Sequence, residues 1–200
     1  MKKLTLSLLC TGLITSTVLA DDVCIGAYNA NNYPQAAACY IQQSKIDPSY
    51  TNYLRAGKSK LKQGLYTEAL PYFLEAEKKA HDLTQYSVVY SALGAIYTYT
   101  GNSEKQYYYS MKDLEISLKT GESLGSAYSN IGMYYINSQP QQALMYFEKA
   151  LEYKEEAESA VTYSNMASAY GKIGNPSKQE ELALKAIAIG EKTGQYTKPK

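Results

Sequence analysis

"YSNIG" occupies Tyr128 to Gly132 and "YSNMA" occupies Tyr163 to Ala167. Each sets a Tyr four residues before a very small residue, with a large apolar residue directly ahead of the small one. The same frame fits "YLRAG" at 53–57 and "YSALG" at 90–94. The Tyr-to-Tyr steps are 37, 38 and 35 residues, so the chain repeats itself. Three residues beyond the small position stand Tyr97, Tyr135 and Tyr170, with Lys60 in the first copy. A turn follows each time: "QGLYTEA" (63–69), "TGNSEKQ" (100–106), "SQPQQA" (138–143) and "IGNPSKQ" (173–179). Each turn leads into a second periodic segment, such as "ALPYFLEAEKKA" (69–80) or "ALMYFEKALEY" (143–153).

Apolar and small residues recur at three and four positions, which predicts helix, short Gly/Asn/Pro turn, helix in every unit. Few runs alternate with period two, which argues against strands. Gly costs about 1 kcal/mol in a helix interior, so its recurrence marks a place where a partner helix comes too close for a larger side chain. Ala69, Ala76, Ala143, Ala150, Ala183 and Ala186 supply small positions on the second helices, and the only two Phe, Phe73 and Phe147, stand between Ala pairs.

The 200 residues carry 45% hydrophobic and 20% charged side chains, a globular composition. A formal net charge of +1 gives no basic field of the kind a nucleic-acid binder needs. The aromatic usage is unusual: 22 Tyr, two Phe and no Trp. Tyr is amphipathic and can line half-exposed surfaces.

Lys2 and Lys3, the apolar or small run Leu4–Leu19, and "TVLA" ending at Ala20 predict a signal peptide over 1–20, with export to the periplasm or the medium. The alternative is lipidation at Cys10, although Leu9 stands where that signal wants a small residue. A membrane association is expected only through that lipid. Removing residues 1–20 takes two Lys and no acid, leaving a formal charge of about −1. Cys24 and Cys39 then remain, and an even count in an exported chain points to a disulfide. Metal binding is not expected: the chain has one His, His81, and no CxxC spacing. No GxSxG, HExxH or phosphate-loop pattern occurs, so neither an enzyme nor a cofactor is expected.

With "YLRAG…QGLYTEALPYFLEA" (53–76) and "YSNIGMYY…QQALMYFEKAL" (128–151) on the page, the chain resembles the tetratricopeptide repeat (TPR) family. A shortened copy, "NNYPQAAACYIQQSKIDP" (31–48), precedes them, and the resemblance covers about residues 22–193. It implies an all-α fold, a right-handed superhelical solenoid of antiparallel helix pairs. The TPR-like domain would span 21–193, in units of about 22–48, 50–83, 87–120, 125–155 and 160–193, with a flexible tail over 194–200. A Cys24–Cys39 bond would staple the truncated first unit, whose terminal position leaves it only one neighbour. Gln106, Ser110, Asp113 and Gln179 depart from the family's small or aromatic sites, which points to loose packing or a shifted register in the third unit. Three consecutive Tyr in "QYYYS" (106–110) cannot all face one core, so at least one is expected on the surface.

The resemblance also implies a concave groove lined by the first helices, which takes a protein or peptide partner. Carried over position by position, it would present Leu54, Arg55, Lys58 and Lys62, then Val88, Ser91, Ala95 and Tyr99. Ser129, Asn130, Met133 and Asn137 follow, and then Ser164, Asn165, Ser168 and Lys172. Asn130 and Asn165 fall where peptide-binding members often carry Asn, whose amide both donates and accepts. The plainer alternatives are a solvated surface or bonding within the array, and a charged solvent face for Arg55, Lys58, Lys60 and Lys62. The functional expectation is an exported TPR scaffold or adaptor. A structural subunit or lipoprotein assembly factor of a secretion or pilus machine is the alternative.

Overall fold

The computed structural model describes residues 21–153 and 159–193. The expected signal peptide with Cys10, the Glu-rich stretch at 154–158 and the tail at 194–200 lie outside the described residues. Every regular element among the described residues is an α-helix: α1 (21–29), α2 (Tyr33–Ile46), α3 (Tyr50–Lys62), α4 (Tyr66–Lys79), α5 (Leu83–Thr100), α6 (Ser103–Thr120), α7 (Leu124–Tyr135), α8 (Pro140–Glu152), α9 (Ala160–Lys172) and α10 (Pro176–Lys192). The chain divides into two compact units, one ending at Ala80 and the other beginning at His81.

The near-identical "GNSEKQ" and "GNPSKQ" turns fold alike. Gly101 and Gly174 each take a φ of +76°, a conformation that only Gly adopts without a steric cost. The following Asn102 and Asn175 cap α6 and α10: their side chains accept from the backbone N–H of Lys105 and Lys178 at 3.0 and 3.1 Å. Such short connections force antiparallel neighbours.

In the first unit α3 packs on both α2 and α4. A disulfide joins Cys24 of α1 to Cys39 of α2, with Cα atoms 5.4 Å apart. It lies in a small core with Ala27, Ala36, Tyr40 and Ala56. Lys60, which replaces the repeat's Tyr, is half-buried and pairs with Glu68 at 2.7 Å.

In the second unit each helix packs on the next, and α5 also touches α7. The Gly positions carry the packing. A Cβ built on Gly132 would lie 2.5 Å from the Phe147 ring, and one on Gly57 in the first unit 2.7 Å from Phe73. The helices therefore close on a flat aromatic ring where a backbone has no side chain.

The tyrosines form a second recurring device. Tyr97 stacks on Tyr109 at 5.6 Å, and Tyr135 stacks on Tyr146 at 5.7 Å, so adjacent repeats hold the same pair. The repeat's leading Tyr is covered by a Lys from its second helix: Lys112 over Tyr90, Lys149 over Tyr128 and Lys185 over Tyr163, at 5.1, 5.6 and 4.2 Å. A phenol ring tolerates this half-wet position, and the cation–π contact contributes about 0.5–1 kcal/mol each at exposed sites.

The third repeat keeps its register. Gln106, Ser110 and Asp113 occupy the line that Ala143, Phe147 and Ala150 hold in the fourth, and all are buried. Loose packing is avoided because Tyr109, one residue from Ser110, turns inward between Tyr90 and Tyr97. Tyr107 and Tyr108 remain exposed, as three successive helical positions require.

Candidate functional site

α5, α7 and α9 place one face each along an open groove of about 510 Å³ in the second unit. Its walls are Val88, Ser91, Ala95 and Tyr99 from α5, Ser129, Asn130 and Met133 from α7, and Asn165 from α9. These eight are brought together from positions carried over by the repeat. Ala92 and Ala95 keep the α5 wall low, and Tyr99, 63% exposed, stands at the rim.

The polar groups are tied to one another. Asn130 Nδ2 donates to Ser91 Oγ at 3.1 Å, from one repeat to the preceding one. Ser129 Oγ donates to the Gly125 carbonyl at 2.9 Å and lies 3.3 Å from Thr162 Oγ1 of the following repeat. Bonding within the array, the plainer alternative for Asn130, is therefore present for one of its amide hydrogens. A primary amide retains its carbonyl and second N–H for other uses.

Other expected positions do not line this groove. Asn137 lies past the end of α7 at Tyr135, in the turn toward α8, so it is off the helix face on which its assignment depends. Ser164 and Ser168 are exposed on α9, with Ser168 Oγ bonded to the Ser164 carbonyl at 3.2 Å, and Lys172 is exposed at the helix end. Arg55, Lys58 and Lys62 belong to the first unit. Arg55 is not a free cation there: Nη1 meets Asp21 Oδ1 at 2.7 Å, and the guanidinium lies 5.5 Å from the Tyr40 ring centre. Arg55 and Lys58 border a recess of about 280 Å³ with Ile25, Tyr28, Asn29 and Tyr40. Lys58 is exposed overall, yet protein packed about its ammonium holds its pKa below the usual lysine value. Leu54 is half-buried and Lys62 exposed. His81 is exposed beyond α4, its Nε2 3.8 Å from Asp82 Oδ2.

Sequence reading missed Ser87, Ser126 and Val161, which also line the groove. Each stands four residues before Ser91, Asn130 or Asn165, one helical turn earlier on the same face, and that spacing was the available signal. Asp113, which departs from the repeat's small or aromatic sites, was given no role there. This carboxyl is fully buried on α6 behind α5, where Ser87 Oγ donates to its Oδ1 at 2.7 Å. Burial pushes it up to about 6, while the hydrogen bond from Ser87 pulls against the rise. Four buried atoms on one line of α6, Gln106 Nε2, Ser110 Oγ, Asp113 Oδ2 and Ser117 Oγ, have no hydrogen-bond partner.

Among the described residues no group of three or more His, Cys, Asp or Glu side chains is placed to hold a metal, and no helix is long and apolar enough to cross a membrane. No family model and no curated protein matches the sequence. Solved structures do match. The crystal structure of MamA protein superposes with a TM-score of 0.63 at 19% identity, over 92% of this chain and 97% of that one. YrrB, described as a TPR protein with an unusual peptide-binding site, gives 0.56 at 21% identity over 84% and 83%. The chain has the tetratricopeptide-repeat fold. A chain of the APC/C hetero-tetramer Cut9–Hcn1 gives 0.73 at 19% identity, with 87% of the TPR chain described here spanning 34% of that chain. Identities this low speak to the fold alone.

Proposed function

We propose that this TPR protein is an exported scaffold that binds an extended segment of a partner protein in the groove of α5, α7 and α9. The observation that carries the reading is the pairing of carboxamides with low walls: Asn130 and Asn165 line a groove whose α5 side is kept open by Ala92 and Ala95. An extended backbone can approach such a surface and pair its amides with the carboxamides without regard to its own side chains. YrrB, a peptide-binding TPR protein, is a precedent for this fold. Export is supported by the Cys24–Cys39 disulfide, which an oxidising compartment favours.

A photo-crosslinking amino acid placed at Asn165 tests the groove, with the exposed Leu184 of α10 as the control position. Adducts are expected from Asn165 and not from Leu184. Equal yields from both positions contradict the groove. Mass spectrometry of the purified chain is expected to read Asp21 as its first residue, whereas an acylated Cys10 would make it a lipoprotein.

A further inference from the structure

α6 carries an apolar stripe on its outer side. Tyr107, Met111 and Leu118 are exposed there, Leu118 by 60%, and Leu114 lies buried at the base of the stripe. Steps of four, three and four residues set these positions on one side of the helix. Tyr108 stands exposed beside them, and with Glu104 and Glu115 they border a shallow recess of about 600 Å³ formed by this helix alone. The recess shares no lining residue with the groove of α5, α7 and α9. A row of apolar side chains in water marks a contact surface, and a row of this spacing suits a second helix.

The order of residues along the stripe says which helix. Tyr107 and Leu118 have the same midpoint as Met111 and Leu114, between positions 112 and 113. Glu104 and Lys119 have the same midpoint as Tyr108 and Glu115, between positions 111 and 112. The two midpoints are one residue apart, about 1.5 Å along a helix. Turning α6 end for end about this point lays the stripe on its own copy. Tyr107 then meets Leu118 of the other copy, and Met111 meets Leu114. The same turn brings Glu104 to Lys119 and the Tyr108 hydroxyl to the Glu115 carboxylate. A two-fold axis makes each of these contacts twice. Glu104 is exposed in the first turn of α6, and Lys119 is exposed in the last, 2.6 Å from Glu115. A parallel alignment would instead set Glu104 against Glu104 and Lys119 against Lys119, where like charges repel.

We infer that the outer face of α6 is a homodimer contact, in which α6 packs antiparallel on α6 of a second copy about a two-fold axis near Lys112. The apolar stripe supplies the attraction, and the opposite charges at its two ends set direction and register. One helix pair is a small interface, so the dimer is expected to form in proportion to concentration. Because the two surfaces share no residue, this inference stands or falls apart from the groove.

Sedimentation velocity of the purified protein, over about a hundredfold range of concentration, tests it. The wild type is expected to pass from monomer to dimer as concentration rises. Leu118→Glu places a carboxylate against apolar side chains of the other copy and is expected to stay monomeric throughout, with helical content unchanged because the site is exposed. Leu184→Glu, at an equally exposed apolar site on α10, is expected to dimerise like the wild type. Glu104→Lys and Lys119→Glu each turn opposite charges into like ones and are expected to weaken the dimer about tenfold, whereas the double exchange restores it. A wild type that is monomeric at every concentration, a dimer that survives Leu118→Glu, or a double exchange that restores nothing overturns the inference.

Discussion

Phe147→Ala lowers the stability of the second unit by about 3–5 kcal/mol, read from the midpoint of denaturant unfolding. The ring is fully buried and lies between Ala143 and Ala150 on its own helix. It belongs to a core that also holds Leu144, Ile136, Met166 and Leu182, contributed by α7 to α10. Removing it opens a cavity at a junction of two repeats, and in a stacked array such a junction couples neighbours. The facing glycine gives a sharper form of the same result. Gly132→Ala gains about 1 kcal/mol of helix propensity, yet its Cβ would meet the Phe147 ring at 2.5 Å. Overpacking costs about 1–3 kcal/mol, so the single substitution destabilises. In a Phe147→Ala background the clash is gone and Gly132→Ala is expected to stabilise. That reversal of sign in a double-mutant cycle identifies the Gly–Phe contact as the seam.

Reducing the Cys24–Cys39 bond costs about 3 kcal/mol by the chain-entropy account of a loop this long, with 15 residues of sequence separation. The effect is expected to be local. α1 and α2 form the N-terminal pair, and their core of Cys24, Ala27, Ala36 and Tyr40 is small. Hydrogen exchange across residues 21–46 should accelerate on reduction, while α9 and α10 in the other unit keep their protection. Two reactive thiols in denatured protein from the exporting cell would show that the bond does not form there.

The repeat, the helix pairs and the close helix approach at Gly could be read from sequence because they rest on local sterics: a turn needs Gly at positive φ, and a close helix approach needs a missing side chain. The tyrosine stacks were less legible. Tyr97 and Tyr109 are twelve residues apart on different helices, and composition alone does not say which rings meet. Lys112, Lys149 and Lys185 look like ordinary surface charges until the fold lays each over a Tyr. Asp113 was legible as a departure from the repeat pattern but not as a buried carboxylate. A carboxylate reads as solvated, and only a position equivalent to Ala150 shows that it is buried. Asn137 falls in the turn past the end of α7, and Ser87 was missed because it lies one turn before the positions carried over. Asn130 lines the groove, but its bond to Ser91 depends on contact between repeats.

The central claim is that Asn130 and Asn165 read the backbone of a partner segment. Its most direct test takes the segment recovered from the Asn165 crosslink as a synthetic peptide and measures its affinity by calorimetry for wild type and for Asn130→Ala/Asn165→Ala. Two lost hydrogen bonds at about 1 kcal/mol each predict at least a tenfold weaker Kd, with the helical content of the variant unchanged. A folded variant that binds the peptide as tightly as wild type contradicts the account.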